Sequence, residues 1–228
     1  TILNIKCASF QRCLMKNRFI AVVYTILFLL LAVSAITQYE EKGLSAIWMS
    51  LAVAVLYILP VAFERLFSLY IPPLLKYMIL AFIFLCLHLG GILSFYERFH
   101  GWDSFIHLAS GFVIPVIALS VINFLNRDHT SLTNLTPGFI FVFMILFAAG
   151  ISLLWEYAEF LSDSVFGTNH LNDTVLNNGL IDIGLIDTMK DLLFSQSSSL
   201  LTSFCLYRAV KKQNHTVISR ILITYRKH

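Results

Sequence analysis

Residues 138–162 read GFIFVFMILFAAGISLLWEYAEFLS. Up to Leu154 the stretch is almost wholly apolar, and as a helix of about 20 residues it would cross the hydrocarbon core of a bilayer. A helix is the open-ended structure that satisfies its own backbone hydrogen bonds there. The last turns carry Glu156 and Glu159. A carboxylate at membrane depth is costly and normally marks a functional site with a partner, so this segment points at once to a fold class and to a place to look for chemistry.

Runs of the same kind cover residues 19–37, 44–63, 77–96 and 104–125. A sixth, 186–207, is more polar. It opens with Asp187, Lys190 and Asp191 and carries Ser195–Ser199, but Leu192–Phe194 and Leu200–Leu206 are apolar and no helix breaker intervenes. The expectation is an all-α polytopic membrane helix bundle with about six transmembrane helices in residues 19–207, between a basic segment 1–18 and a basic tail 208–228. Composition agrees. The 228 residues are 58% hydrophobic and 13% charged, with mean hydropathy +0.79, where a soluble domain carries roughly 25% charged residues. A cytosolic globule and a disordered chain are excluded. Cys7, Cys13, Cys86 and Cys205 lack CxxC spacing, which argues against a zinc ribbon and a disulfide framework. The first apolar run is longer than a signal-peptide core, so it reads as an uncleaved span.

Basic residues orient the helices. Lys6, Arg12, Lys16 and Arg18 precede the first run, and Arg208, Lys211, Lys212, Arg220, Arg226 and Lys227 follow the last. Arg65, Lys76 and Arg127 fall in connections on that same side, which collects 13 of the 16 basic residues, against Lys42, Arg98 and Lys190 on the other. Both termini are therefore expected in the cytoplasm. The tail is expected against anionic headgroups, and nucleic-acid binding finds no support because topology accounts for the basic residues.

Seven of the 13 acids lie between Glu156 and Asp191. Asp173 and Asp182 read as solvated loop residues. The alternating direction of the spans places three other groups near the extracytoplasmic surface: Asp103 and His107, then Glu156, Glu159 and Asp163, then Asp187 and Asp191. Spacings of three or four residues put each group on one helix face, and bundles build internal metal sites from such pairs. The expected ligands are Asp103, His107, Glu156, Glu159, Asp187 and Asp191, with Glu156 or Asp163 as general base and His88 in second rank. Three have a plainer reading, Asp103 and Asp187 as helix caps and His88 as an interhelical hydrogen-bonder, while His107, Glu156 and Glu159 are the set least readily read as structural. Up to six carboxylates cannot all ionise in a low-dielectric pocket without a counter-charge. Mixed oxygen and imidazole ligands suit a divalent ion such as zinc, manganese or iron, and magnesium or calcium if His107 does not bind directly. His100 and His170 read as solvated, and the Trp and Tyr residues near the helix ends as an interfacial belt. No HExxH, phosphate loop or GxSxG elbow is present.

Residues 102–112, WDSFIHLASGF, resemble the D-x-x-x-H-x-x-x-G-F block of the YjdF-like (DUF2238) inner membrane proteins of bacteria. Trp155-Glu156-Tyr157-Ala158-Glu159 resembles that family's E-x-x-E block, and Asp187-Thr188-Met189-Lys190-Asp191 its D-T-x-x-D block. The three occur in family order across roughly Tyr96 to Phe194. A more distant likeness to the VanZ-like membrane proteins rests on the Asp-x-x-x-His helix start and the later helix acids. The sequence departs from the family pattern at Ser195–Ser199 and at Lys190. The resemblance implies six spans, a multi-pass location in the bacterial inner membrane and a site shared by the three blocks, and it names no substrate. Three functions stay open: a metal-dependent enzyme acting on a lipid or lipid-linked substrate, a proton or divalent-cation transporter, and a non-enzymatic scaffold or resistance factor with a structural metal. The bilayer is the expected partner, and no oligomeric state can be read from the sequence.

Overall fold

A computed structural model describes residues 2–125, 135–182 and 184–225 of the chain. Arg127, Arg226 and Lys227, counted above toward orientation, lie outside the described residues, as do the side chains of residues 1–18 with their basic leader and Cys7 and Cys13.

Nine helices are described: α1 Ile2–Thr37, α2 Tyr39–Lys42, α3 Leu44–Leu66, α4 Pro73–Ile83, α5 Phe95–Arg98, α6 Trp102–Leu125, α7 Pro137–Phe166, α8 Leu185–Lys211 and α9 His215–Ile218. Five stretches among the described residues are long and apolar enough to cross a membrane: Phe19–Thr37, Leu44–Leu66, Pro73–Ile92, Trp102–Asn123 and Pro137–Phe166. The protein is thus an all-α, multi-pass membrane bundle. The sixth expected span exists as the helix α8, but it is too polar along its length to join those five.

Residues up to Arg98 form one unit. Its core is Leu27 and Leu31 of α1, Val53 and Tyr57 of α3, Leu80 of α4, and Ile92. The third span lies four residues earlier than the apolar run 77–96 suggests. Pro73 takes the first helical position, where its fixed φ and missing N–H are harmless, and the helix starts there. α4 then widens into a π-helix over Phe84–Ile92 and stops at Leu93 and Ser94, the latter at φ 58°. Lys42 Nζ closes that end by donating to the carbonyls of Gly91 (3.1 Å) and Ile92 (2.9 Å) and to Ser94 Oγ (2.6 Å), a cation where the helix dipole is negative. At the other end of α4, Lys76 Nζ pairs with Glu64 Oε2 at 2.8 Å, while Ile71 N donates to Glu64 Oε1. Both charges are buried.

The second unit spans Phe99–Thr224. Here α6, α7 and α8 run up, down and up, and α6 packs most extensively on α8. α6 is buried along most of its length, with Ile106, Val113, Val116, Ala118, Leu119 and Ile122 inside. α8 is built inside out. It buries Asp191, Ser195, Ser198, Ser199 and Ser203 and turns Leu193, Phe194, Leu200, Leu201 and Phe204 outward. Lipid tails are as apolar as leucine, so membrane helices associate through small residues that allow close approach. Gly111 of α6 shows how close: a Cβ there would fall on the backbone of Ser195 and Ser199. α8 also reaches beyond residue 207. Arg208 stacks over Phe204 and Lys211 over Tyr207, at 5.9 and 5.8 Å from the ring centroids, so two cations expected in the tail finish the helix instead.

Candidate metal centre

Three helix ends of the second unit converge. α6 starts after Gly101 (φ +82°), so Asp103 lies in its first turn and His107 one turn further on the same face. α7 is capped by Thr136, whose hydroxyl accepts from Phe139 N, with Pro137 at its first position. Its buried residues Met144, Ala148, Ser152 and Glu156 fall every four positions, so Glu156 is the polar end of an otherwise apolar stripe. α8 starts at Leu185, and Asp191 lies in its second turn.

The connection after α7 places α8. The Asp163 carboxylate accepts from Thr168 Oγ1 (2.6 Å), His170 N (2.8 Å) and Leu171 N (2.9 Å), folding the chain back just past the helix end at Gly167 (φ +67°). A hairpin pairs Thr174 with Asp182 and Val175 with Ile181. Asp182 then accepts from Leu185 N and Ile186 N, so this acid caps α8 rather than being merely solvated. Gly184 sits against the Leu171 backbone at φ +79°, where a Cβ would collide.

His107 is the hub. Its Nε2 lies 3.6 Å from Glu156 Oε1 and 3.7 Å from Asp103 Oδ1. Two trios offer ligand atoms within 4.8 Å of one another: Asp103, His107 and Asp191, and His107, Glu156 and Glu159. His107, Glu156 and Asp191 are 5%, 4% and 2% exposed. Glu159 is half-buried and accepts from Trp155 Nε1 at 2.8 Å. Among the described residues no lysine or arginine pairs with these carboxylates, and Lys190 faces outward.

Two further observations bear on a ligand. Glu156 Oε1 and Asp191 Oδ1 are buried without a hydrogen-bond partner, a costly condition for a carboxylate oxygen. The spacing also suits a cation. Two ligand atoms about 2.1 Å from a tetrahedral ion stand roughly 3.4 Å apart, so the two His107 distances need only a small contraction. The N-termini of α6 and α8 add positive dipole ends beside Asp103 and Asp191.

The other expected site residues stand outside the two trios. Asp187 belongs to neither trio and accepts from Asn172 Nδ2 at 2.5 Å. Asp163 has its oxygens engaged by the loop. His88 lies in the first unit, inside the π-helix, where Nε2 hydrogen-bonds with Ser34 Oγ (2.9 Å) and Nδ1 with Tyr57 OH (3.4 Å). His100 and His170 are exposed. Sequence reasoning missed the buried serines of α8 as partners of α6; their spacing of three to four residues, set against outward leucines and phenylalanines, was the available signal.

Comparison with known proteins comes to three findings. A family model described as a predicted membrane protein (DUF2238) matches residues 19–212, most of the chain and all of the cluster. Over 137 residues the chain is 28% identical to an uncharacterized protein of Thermotoga maritima, a match covering 59% of this chain and 62% of that one, so it spans less than two thirds of the relative's length. No solved structure matches.

Proposed function

The chain belongs to the DUF2238 family of predicted membrane proteins, and we propose that its acid and histidine cluster is a divalent-metal centre serving a membrane enzyme that acts on a lipid or lipid-linked substrate. The observation that carries this reading is His107 Nε2 standing 3.6–3.7 Å from two carboxylate oxygens, one of them buried without a donor. In that setting a cation is the missing counter-charge. Asp103, His107, Asp191, Glu156 and Glu159 are the ligand pool.

A bound divalent ion supplies Lewis acidity and a water of lowered pKa. The chain supplies position. With the termini in the cytoplasm, as the basic residues suggest, the centre faces the extracytoplasmic leaflet of a bacterial inner membrane. The α6 ligands lie within about 8 Å of that helix's start at a rise of 1.5 Å per residue, a depth at which headgroup ester and phosphoryl oxygens are within reach. The pool holds more carboxylates than one ion requires, and the surplus can accept a proton. Asp163, held by three loop donors, serves as a positioning residue.

The test is headgroup release from phospholipid or polyprenyl-phosphate vesicles by the purified protein with added Mn(II) or Zn(II). Turnover lost in Glu156→Gln is expected. Absence of turnover with every lipid class and metal would refute the enzyme reading. One observation favours a second reading, cation or proton transport. Ser195, Ser199 and Ser203 continue from Asp191 along the buried face of α8, and the last two have hydroxyls without partners. Ion flux into liposomes without turnover would favour it.

A further inference from the structure

The two trios share only His107, and one imidazole Nε2 binds one ion. We infer that the cluster is built for two divalent cations, the first held by Asp103, His107 and Asp191 and the second by Glu156 and Glu159 with water completing its shell. This inference rests on the metal-centre reading above and specifies its stoichiometry.

Charge argues for it. Asp103, Asp191, Glu156 and Glu159 are four carboxylates at one end of α6, α7 and α8, two buried and two half-buried, with Asp187 close enough to add to their charge and no lysine or arginine paired to them among the described residues. One divalent ion would leave most of that charge uncompensated, and two would match the four ligand carboxylates. Placement argues for it as well. Each proposed site contains one carboxylate that is more than nine-tenths buried and has an oxygen without a partner, Asp191 Oδ1 in the first and Glu156 Oε1 in the second. A single ion on His107, Asp103 and Asp191 would leave Glu156 Oε1 as it is. Manganese, iron and magnesium keep waters in their shells and tolerate two protein carboxylates, and paired ions about 3.5–4 Å apart clamp the attacking and leaving oxygens of a phosphoryl or ester group. A pair of ions held by these residues would suit a phosphoester or carboxylic ester headgroup.

The experiment is titration of full-length, chelator-stripped protein in detergent with Mn(II), read by elemental mass spectrometry and by electron paramagnetic resonance. Two Mn(II) per chain with a spin-coupled signal is the expected result, falling to one uncoupled Mn(II) in Glu159→Gln and, separately, in Asp191→Asn. Saturation at one uncoupled Mn(II) in the wild type overturns the two-ion site and leaves the metal centre standing. No bound Mn(II) overturns both. Two ions retained in Glu159→Gln would overturn the assignment of the second. The wild-type stoichiometry decides the matter even where a variant fails to fold.

Discussion

Glu156 Oε1 and His107 Nε2 face each other at 3.6 Å, beyond hydrogen-bonding distance, with both residues buried and the oxygen lacking any donor. Two polar groups held this close without closing on each other stand as cation ligands would. Most of what can be tested follows from whether cations bind there and from how the helices hold the pair.

Metal should be a structural ligand too. An ion bound only by the folded α6, α7 and α8 ends adds about 2.7 kcal/mol at a concentration 100 times its Kd. A chelator is expected to lower the melting temperature of the detergent-solubilised protein, and Mn(II) to restore it. The melting curve of His107→Ala should respond less to either addition than that of the wild type.

Gly111 sets the approach of α6 to α8. Gly111→Ala places a methyl on the Ser195 and Ser199 backbone, which cannot rotate away as a side chain would. Forcing a methyl into a packed interior costs about 1–3 kcal/mol. A lowered thermal midpoint with weakened metal binding is expected, since both α8 ligand and α6 ligands move. Gly150, with open space around it, is the control: Gly150→Ala should melt no lower than the wild type, since alanine favours the helix interior.

The Glu64–Lys76 pair offers a test of stability apart from the metal centre. Lys76→Met leaves the buried Glu64 carboxylate without its cation and should cost about 3–5 kcal/mol. Glu64→Leu with Lys76→Met should recover much of that loss, because no uncompensated charge remains. Urea or thermal unfolding of the single and double variants checks this, and metal content should be unchanged in all folded samples.

Asp163 should matter through the loop. Asp163→Ala removes acceptors from Thr168, His170 and Leu171, bonds that solvent weakens at this accessible position but that act together to fold the loop. Faster proteolytic cutting of residues 168–171 and weaker metal affinity are expected. Turnover measured at saturating metal should recover substantially, which a lost proton acceptor would not permit.

Much of this was legible in the chain because membrane helices announce themselves by length and apolarity. The runs at 138–162 and 104–125 reappear as α7 and α6 with ends shifted by a few residues, and the i, i+4 spacing of Asp103 and His107 already placed them on one face. What could not be read depends on partners distant in sequence. Asp187 is engaged by Asn172, fifteen residues away, and the spacing of the acids does not show that the following loop will wrap Asp163. The π-helix over Phe84–Ile92 has no periodicity that distinguishes it from an α-helix in an apolar run, so the end of the third span was misplaced. The segment 186–207 was legible as a helix, but the inward facing of its serines was not, because that depends on the close approach of Gly111 from α6.

The central claim is that His107 and the carboxylates around it bind a metal. Elemental mass spectrometry of gently purified, chelator-free protein beside His107→Ala tests it most directly. Bound divalent metal in the wild type, reduced in the variant by the ion that His107 holds, is the expected result. Equal metal in both samples, or none in either at saturating supply, would contradict it.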